Sequence, residues 1–422
     1  MAKTVVVVGA GVAGIQVSQQ LADLGFVVHL VDRESTVGGL SAHLGKVFPT
    51  DDCALCLDAC EELFSGHHRR CQYRSLLGSQ KKLNLHTQTQ VKSIKREGNG
   101  FSVSVKTSPR YILLDRCVVC LECIHACEVE VEDEFNLGRG TRKAIYRPIP
   151  QGVPLAPLID MDSCTRCGKC VEVCGVGAIN LDQRAKTRTI RADAIVLATG
   201  VEERLPHILP GYAYGECEDV LTQRELARLL DPTGSTVGKA LTASGQPAKS
   251  VTMILCAGSR DLNAIEYCSQ VCCTYSLKHA LMLREQGIDV SLCYMDLRVP
   301  SHSRHYLELA RESGVKFVRG KPDHVVVRDG RPVTVVENTE SLERLEMGSD
   351  IVVLASPLIP LASQDGSFTD LLDADGFCHR RSKKPGVYAC GTSTGPTDIP
   401  TSVAEANSVA LEIYTDLMGV GK

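Results

Sequence analysis

Thr4-Val5-Val6-Val7-Val8-Gly9-Ala10-Gly11-Val12-Ala13-Gly14 is the stretch on which the fold turns. Its first five residues form a continuous apolar run, the pattern of a parallel strand buried on both faces. Gly9, Gly11 and Gly14 then complete G-x-G-x-x-G. Ile15 to Leu24 has helical periodicity, Gly25 ends that helix, and Phe26 to Val31 reads as a second strand closing at Asp32. In such a unit the first glycine permits a tight turn, the second lets the backbone approach a pyrophosphate, and the third lets helix and strand pack closely. The helix N-terminus attracts the phosphate charge. Asp32 is placed to bind ribose hydroxyls, and Arg33 beside it joins the candidate nucleotide contacts. An ordinary glycine-rich turn is the competing explanation; strand, helix, second strand and terminal acid in register favour the nucleotide.

Around this stretch lies a chain of 422 residues, 44% hydrophobic, long enough to bury the cores of two or three domains. Its formal charge of −4 comes from nearly balanced acids and bases, so no nucleic-acid partner is expected. No apolar run approaches the roughly 18 residues of a membrane span, and no signal peptide precedes the first strand. A cytoplasmic protein is expected, held at the inner membrane only through a partner. Twenty cysteines in a chain that is not exported point to metal ligation, because cytosolic thiols are kept reduced.

Three further segments extend the nucleotide reading. Gly38-Gly39 follows Asp32 after a short loop; Ala194-Ile195-Val196-Leu197-Ala198-Thr199-Gly200 is a strand running into an A-T-G loop; and Gly386-Val387-Tyr388-Ala389-Cys390-Gly391-Thr392 precedes a helical stretch from Thr401 to Ile413 that contains Ala404. Together they resemble the two-dinucleotide-binding flavoproteins related to thioredoxin reductase. The resemblance implies an α/β fold with a Rossmann-type FAD domain and a second, NAD-type domain. It adds Gly38, Gly39, Thr199, Gly200, Gly391, Thr392 and Ala404 to the cofactor contacts. Where the family has Gly-Asp before the last helix, this chain has Gly391-Thr392, so the usual carboxylate against the ribityl chain is missing.

The flavoprotein pattern is interrupted between the strand-like Phe101 to Val105 and Ala194 to Ala198. Inside the interruption stand Cys117-x-x-Cys120-x-x-Cys123-x-x-x-Cys127 and Cys164-x-x-Cys167-x-x-Cys170-x-x-x-Cys174. Three thiolates at this spacing wrap one cubane, and the fourth reaches the other cluster in two-cluster ferredoxins. One [4Fe–4S] cluster is therefore expected on Cys117, Cys120, Cys123 and Cys174, the other on Cys164, Cys167, Cys170 and Cys127. Zinc is the alternative for C-x-x-C pairs, but it does not require a repeated tetrad. Glu128 and Gly175 replace the proline that usually follows the fourth cysteine.

In the second dinucleotide domain the strand Ser250 to Leu255 leads into Cys256-Ala257-Gly258-Ser259-Arg260-Asp261, without a glycine fingerprint. Tyr267-Cys268-Ser269-Gln270-Val271-Cys272-Cys273 follows, and then Lys278. A one-turn offset from Cys268 to Cys272 on a helix suits a metal, while packed, inert thiols remain the alternative. C-x-G-S-R-D, Y-C-S-x-V-C-C and the lysine resemble the heterodisulfide reductase A-subunit family. Pro49-Thr50-Asp51-Asp52-Cys53, Pro109-Arg110-Tyr111, Arg142-Lys143-Ala144-Ile145-Tyr146 and Pro150-Gln151 resemble it too. The resemblance implies a third [4Fe–4S] cluster on Cys256, Cys268, Cys272 and Cys273, and a catalytic role for Lys278 near flavin N5. The expected division is residues 1–106, 187–235 and 376–422 for FAD, 107–186 for the inserted ferredoxin, and 236–375 for the degenerate NAD-type domain.

Within that family the chain is most similar to the branch found in quinone-interacting membrane-bound oxidoreductases. This implies an electron-transfer subunit between menaquinol and adenylylsulfate reductase in sulfate respiration, with flavin-based bifurcation or confurcation. Its partners would be a membrane cytochrome-type subunit together with a second flavin and iron–sulfur subunit. The competing readings are a heterodisulfide reductase A-type subunit with another acceptor, an NAD(P)H-dependent flavin and iron–sulfur oxidoreductase, and a scaffold without cofactors. Cys53, Cys56, Cys60 and Cys71, with His67 and His68, are a candidate for one more metal site, against which stands a spacing that fits neither a ferredoxin nor a zinc finger. Cys217, Cys293, Cys378 and Cys390 are expected as buried apolar side chains. His302 and His305 are expected in a solvated loop.

Overall fold

The computed structural model describes residues 2–49, 82–149, 152–204, 211–362, 368–380 and 384–419. Thr4–Val8 lies at the centre of a five-stranded parallel sheet ordered Val387–Ala389, Ala194–Leu197, Thr4–Val8, Val27–Val31, Leu83–His86. Both faces of this sheet are covered, which is why the strand is apolar throughout. Val5 and Val7 pack with Ile15, Val17 and Leu21 of the first helix, Val12–Asp23, and with Ala406, Val409 and Ile413 of the terminal helix, Ile399–Met418. Val6 points the other way, onto Val103, Val105 and Ile190.

Those last residues belong to an antiparallel sheet of Thr89–Glu97, Gly100–Thr107 and Lys186–Ala192. Thr107 is paired with Lys186, so the cysteine-rich segment leaves and re-enters the body through two adjacent strand ends. An insertion whose ends meet adds little closure cost to the host sheet. Its own elements are short, with one-turn helices Glu122–His125 and Lys169–Glu172 and two-residue strands Ile145–Tyr146 and Leu158–Ile159.

Two buried arginines tie the insertion to the rest. Arg110, 5% exposed, donates to the carbonyls of Pro157 (2.9 Å), Ala156 (2.6 Å) and Ser35 (2.7 Å). Arg228, 1% exposed, donates to Asn136 Oδ1 at 2.8 Å and pairs with Asp231 at 2.7 Å.

A second parallel sheet follows the order Val220–Thr222, Ile351–Leu354, Ser250–Ile254, Asp289–Tyr294, Lys316–Arg319. The helix Cys272–Glu285 packs on it through Cys272, Cys273, Leu277, Ala280 and Leu283. Cys268 precedes this helix instead of lying one turn within it, because Gln270 takes a left-handed φ of 59° and breaks the run. The expected one-face pairing of Cys268 with Cys272 is corrected accordingly. His305 also departs from expectation, since it lies on the helix Arg304–Glu312 and not in a loop.

Candidate functional site: a nucleotide cavity beside three cysteine groups

At the carboxyl ends of the first sheet the glycine turn opens onto a cavity of about 560 Å³. The three glycines of the fingerprint have separable roles. Gly9 has φ +103°, and a Cβ there would lie 2.2 Å from the Ala198 carbonyl oxygen. A Cβ on Gly14 would lie 1.8 Å from the Gly9 oxygen, so this residue serves packing and does not line the cavity. Gly11 lines the cavity, and a Cβ on it would meet nothing within 4 Å. That open space over a helix N-terminus is what a pyrophosphate requires.

Asp32, Arg33, Gly38, Gly39, Thr199, Gly200 and Thr392 line the same cavity. Asp32 accepts from the amides of Ala10 (2.5 Å) and Glu34 (2.8 Å), which fixes its carboxylate at the cavity edge. Burial is the largest influence on this carboxyl and raises its pKa to about 6. Gly391 stands behind the wall, where its amide donates to Glu405 at 3.0 Å and a Cβ would lie 2.5 Å from Ala13 Cβ. Ala404 does not line the cavity and is exposed. The terminal helix starts at Ile399, capped by Asp398, so its free amides lie a turn before Ala404.

The far wall comes from the second sheet's helices. Lys278, 2% exposed, lines it and donates to the Lys46 carbonyl at 2.5 Å. Val271, Tyr275, His279, Gln223 and Arg224 line it as well, joined by Glu203 from the strand Val201–Glu203. Four atoms on cavity-lining residues, Thr199 Oγ1, Glu203 Oε2, Arg224 Nε and His279 Nε2, are buried with no hydrogen-bond partner among the described residues. Buried polar groups are rarely left this way, so the cavity is built for a polar molecule that completes them. Burial raises the Glu203 carboxyl to about 7, with the nearby Arg224 charge opposing. No spacing rule marks Glu203, Gln223, Arg224 or His279, and the sequence reading missed them. The Thr222 to Glu225 capping box was the one signal available, marking a helix that starts beside the cavity.

In the inserted segment Cys117, Cys120, Cys123 and Cys174 line one small cavity. Cys164 and Cys167 raise the pKa of Cys170, after burial, and Cys127 adds to the same effect, so Cys127 lies with the second triad. The eight cysteines thus fall into two crossed groups, Cys117, Cys120, Cys123 and Cys174 in one and Cys127 with Cys164, Cys167 and Cys170 in the other. The two loops also repeat in backbone: Val119 and Leu121 have φ of 58° and 68°, and Arg166 and Gly168, at the same places in the second motif, have 55° and 82°. Left-handed valine and leucine are costly and persist where a loop is shaped around something. Among the described residues no three His, Cys, Asp or Glu side chains converge on one ion-sized point. A cubane instead takes each thiolate on a different iron.

Cys256, Cys272 and Cys273, all buried, share sulfur hydrogen bonds. The bond from Cys272 lowers Cys256 to about 7, with Arg260 assisting, and also lowers Cys273. Cys273 Sγ accepts from the Arg298 amide at 3.4 Å. Cys268 is half-buried and its sulfur accepts from the Gln270 amide at 3.3 Å, much as Cys164 accepts from Arg166 at 3.4 Å. Cys217, Cys293, Cys378 and Cys390 are buried, and burial raises the last three to about 12. His302, expected in a solvated turn, reaches Asp398 at 3.0 Å. Cys53, Cys56, Cys60, Cys71, His67, His68, the Thr50 to Cys53 part of the early motif and Pro150-Gln151 lie outside the described residues.

The fold and site define a class: a thioredoxin-reductase-like arrangement of two dinucleotide-type sheets with an inserted iron–sulfur segment. Thioredoxin reductase of T. acidophilum superposes with a TM-score of 0.54 at 16% identity, over 98% of each chain. That of Lactococcus lactis gives 0.53 at 14% identity, over 99% of this chain and all of the other. Residues 116–179 match the 4Fe-4S dicluster domain family. The iron-sulfur A-subunit of the CoB--CoM heterodisulfide reductase of Methanocaldococcus jannaschii is 36% identical over 97% of this chain and 63% of its own length. The A-subunit of the ferredoxin/F(420)H(2)-dependent CoB-CoM heterodisulfide reductase of Methanosarcina acetivorans is 36% identical over all of this chain and 54% of its own length. Over nearly its whole length the chain is thus similar to the heterodisulfide reductase A-subunits. It spans between half and two thirds of the length of these relatives. No helix among the described residues is long and apolar enough to cross a membrane.

Proposed function

We propose that the chain is the FAD and iron–sulfur electron-transfer subunit of a multisubunit oxidoreductase. One observation carries this: the cavity that begins at the glycine turn ends at Val271, Tyr275 and Lys278, on and beside the helix that starts with Cys272 and Cys273. A flavin held by the first set of residues has the third cysteine group as its neighbour. FAD supplies two-electron exchange and each cluster one-electron exchange, so their junction joins or splits pairs.

Gly11 and Gly39 admit the pyrophosphate, Asp32 binds the ribose, and Thr199 and Thr392 offer hydroxyls where the usual ribityl carboxylate is missing. Lys278 brings a buried positive charge to the ring end of the cavity, which favours the electron-rich form. The twelve cysteines named above hold three clusters. Where a pyridine nucleotide would dock on the second sheet, the turn after Ser250–Ile254 is occupied by buried Cys256 and the glycine fingerprint is lacking, so electrons pass through other subunits.

The finer reading is a complex between menaquinol and adenylylsulfate reductase at the cytoplasmic face of the inner membrane, with a cytochrome-type membrane subunit, and with flavin-based confurcation or bifurcation. Its support is the motif resemblance. Anaerobic purification followed by flavin and iron analysis tests the first reading, with one FAD and three clusters' worth of iron expected; a colourless chain would refute it. Rapid bleaching of the flavin by NADH would favour the pyridine-nucleotide alternative. Reduction by a menaquinol analogue in the assembled complex, with adenylylsulfate reductase as acceptor, tests the finer reading.

A further inference from the structure

The far wall of the cavity contains a small recognition surface that the cofactor motifs do not account for. His279 is 2% exposed, and its Nδ1 stands 2.6 Å from Gln223 Oε1, an atom that only accepts. Nδ1 therefore carries the ring proton. Gln223 is itself oriented by donating to Ser276 Oγ at 3.0 Å. The imidazole Nε2 is left as a bare lone pair with no partner among the described residues. Burial and the adjoining Lys278 charge keep the ring neutral. Arg224, on the same wall, has a buried Nε–H that is also without a partner.

Beside Glu203 Oε2, which faces the Arg224 charge, the wall thus offers an atom that only accepts and one that only donates. A ribityl or ribose hydroxyl does both and needs no such division. The outer edge of the oxidised isoalloxazine is divided: one N–H, at N3, between two carbonyl oxygens. We propose that His279 and Arg224 recognise this pyrimidine edge, His279 Nε2 accepting from N3–H and Arg224 Nε donating to a flanking carbonyl, with Gln223 as a positioning residue that fixes the tautomer. The inference rests on the FAD reading above and names the part of the cofactor that the second sheet reads. It also assigns the ring end of the cavity to the helices Gln223–Leu230 and Cys272–Glu285.

The test uses the full chain loaded with FAD or with N3-methyl-FAD. Resonance Raman spectra in H2O and D2O report the deuterium-sensitive N3–H bending band directly. His279→Leu is expected to move that band to lower frequency and weaken FAD binding about 5- to 10-fold, the effect of one hydrogen bond. His279→Gln, which keeps an acceptor, restores most of both. Gln223→Leu moves the same band while FAD remains bound. N3-methyl-FAD binds the unmodified chain more weakly than FAD does, and His279→Leu removes that preference. An unchanged band in His279→Leu with FAD bound overturns the inference and leaves the FAD reading standing. A chain that binds no FAD overturns both. If His279→Leu does not fold, equal affinity of the unmodified chain for the two flavins decides against the proposal.

Discussion

Gly9 and Gly14 differ from Gly11 in what a single methyl group would do. Gly9→Ala or Gly14→Ala forces a Cβ within 2.2 Å or 1.8 Å of a backbone oxygen, so both are expected to lower the melting temperature of the chain without cofactor. Gly11→Ala meets open space and has an ordinary φ of −79°. Its stability should stay within about 0.5 kcal/mol of the parent while FAD titration shows a marked loss of affinity. Asp32 gives a pH signature. Its folded pKa, about 6, lies above the ordinary 3.8, so the folded chain binds the proton more tightly. Stability without cofactor then falls as pH rises from about 4 to 6 and levels off above, by roughly 3 kcal/mol in all. Asp32→Asn should flatten that part of a denaturation series against pH. These residues were legible in the sequence because spacing gives them away. Glu203, Gln223, Arg224 and His279 were not, since each is a lone polar residue whose role exists only once two sheets face each other.

The cysteine loops belong to the scale of elements. Val119 carries a left-handed φ of 58°, as does Arg166 in the second motif at 55°, so Val119→Gly should leave stability within about 1 kcal/mol of the parent, as relief of strain offsets glycine's added freedom. Gly168→Val, at φ 82°, should instead cost about 1–2 kcal/mol, read from thermal melts at equal iron content. Cys273→Ser should remove one cluster's iron and its electron paramagnetic resonance signal, whereas Cys293→Ser, on the neighbouring strand, should leave the iron unchanged. The ferredoxin-type segment was readable because a cubane imposes its own cysteine spacing. The third group was only half readable. Its helix was expected from Cys268 onward, but the left-handed Gln270 delays it to Cys272. A single residue's φ leaves no periodic trace.

For the whole molecule the two buried arginines matter most. Arg110 joins the insertion to Ser35 beside the nucleotide loop, and Arg228 joins it through Asn136 to the helix Gln223–Leu230. Arg110→Met abandons three buried carbonyls and is expected to destabilise the chain by about 2–4 kcal/mol in denaturant titrations. It should also slow cluster-to-flavin transfer in flash photolysis, because the insertion is then free to shift. The two sheets and the insertion were visible in sequence as changes of pattern; these ties were not, because they join segments far apart in the chain. Distance along the chain has one more effect. The cavity is lined from Val8 to Ser402, so its wall is complete only when that whole span has left the ribosome. On the FAD reading proposed above, flavin insertion is a late step relative to the synthesis of this span, and a nascent chain halted before the helix Ile399–Met418 would be left without its yellow colour.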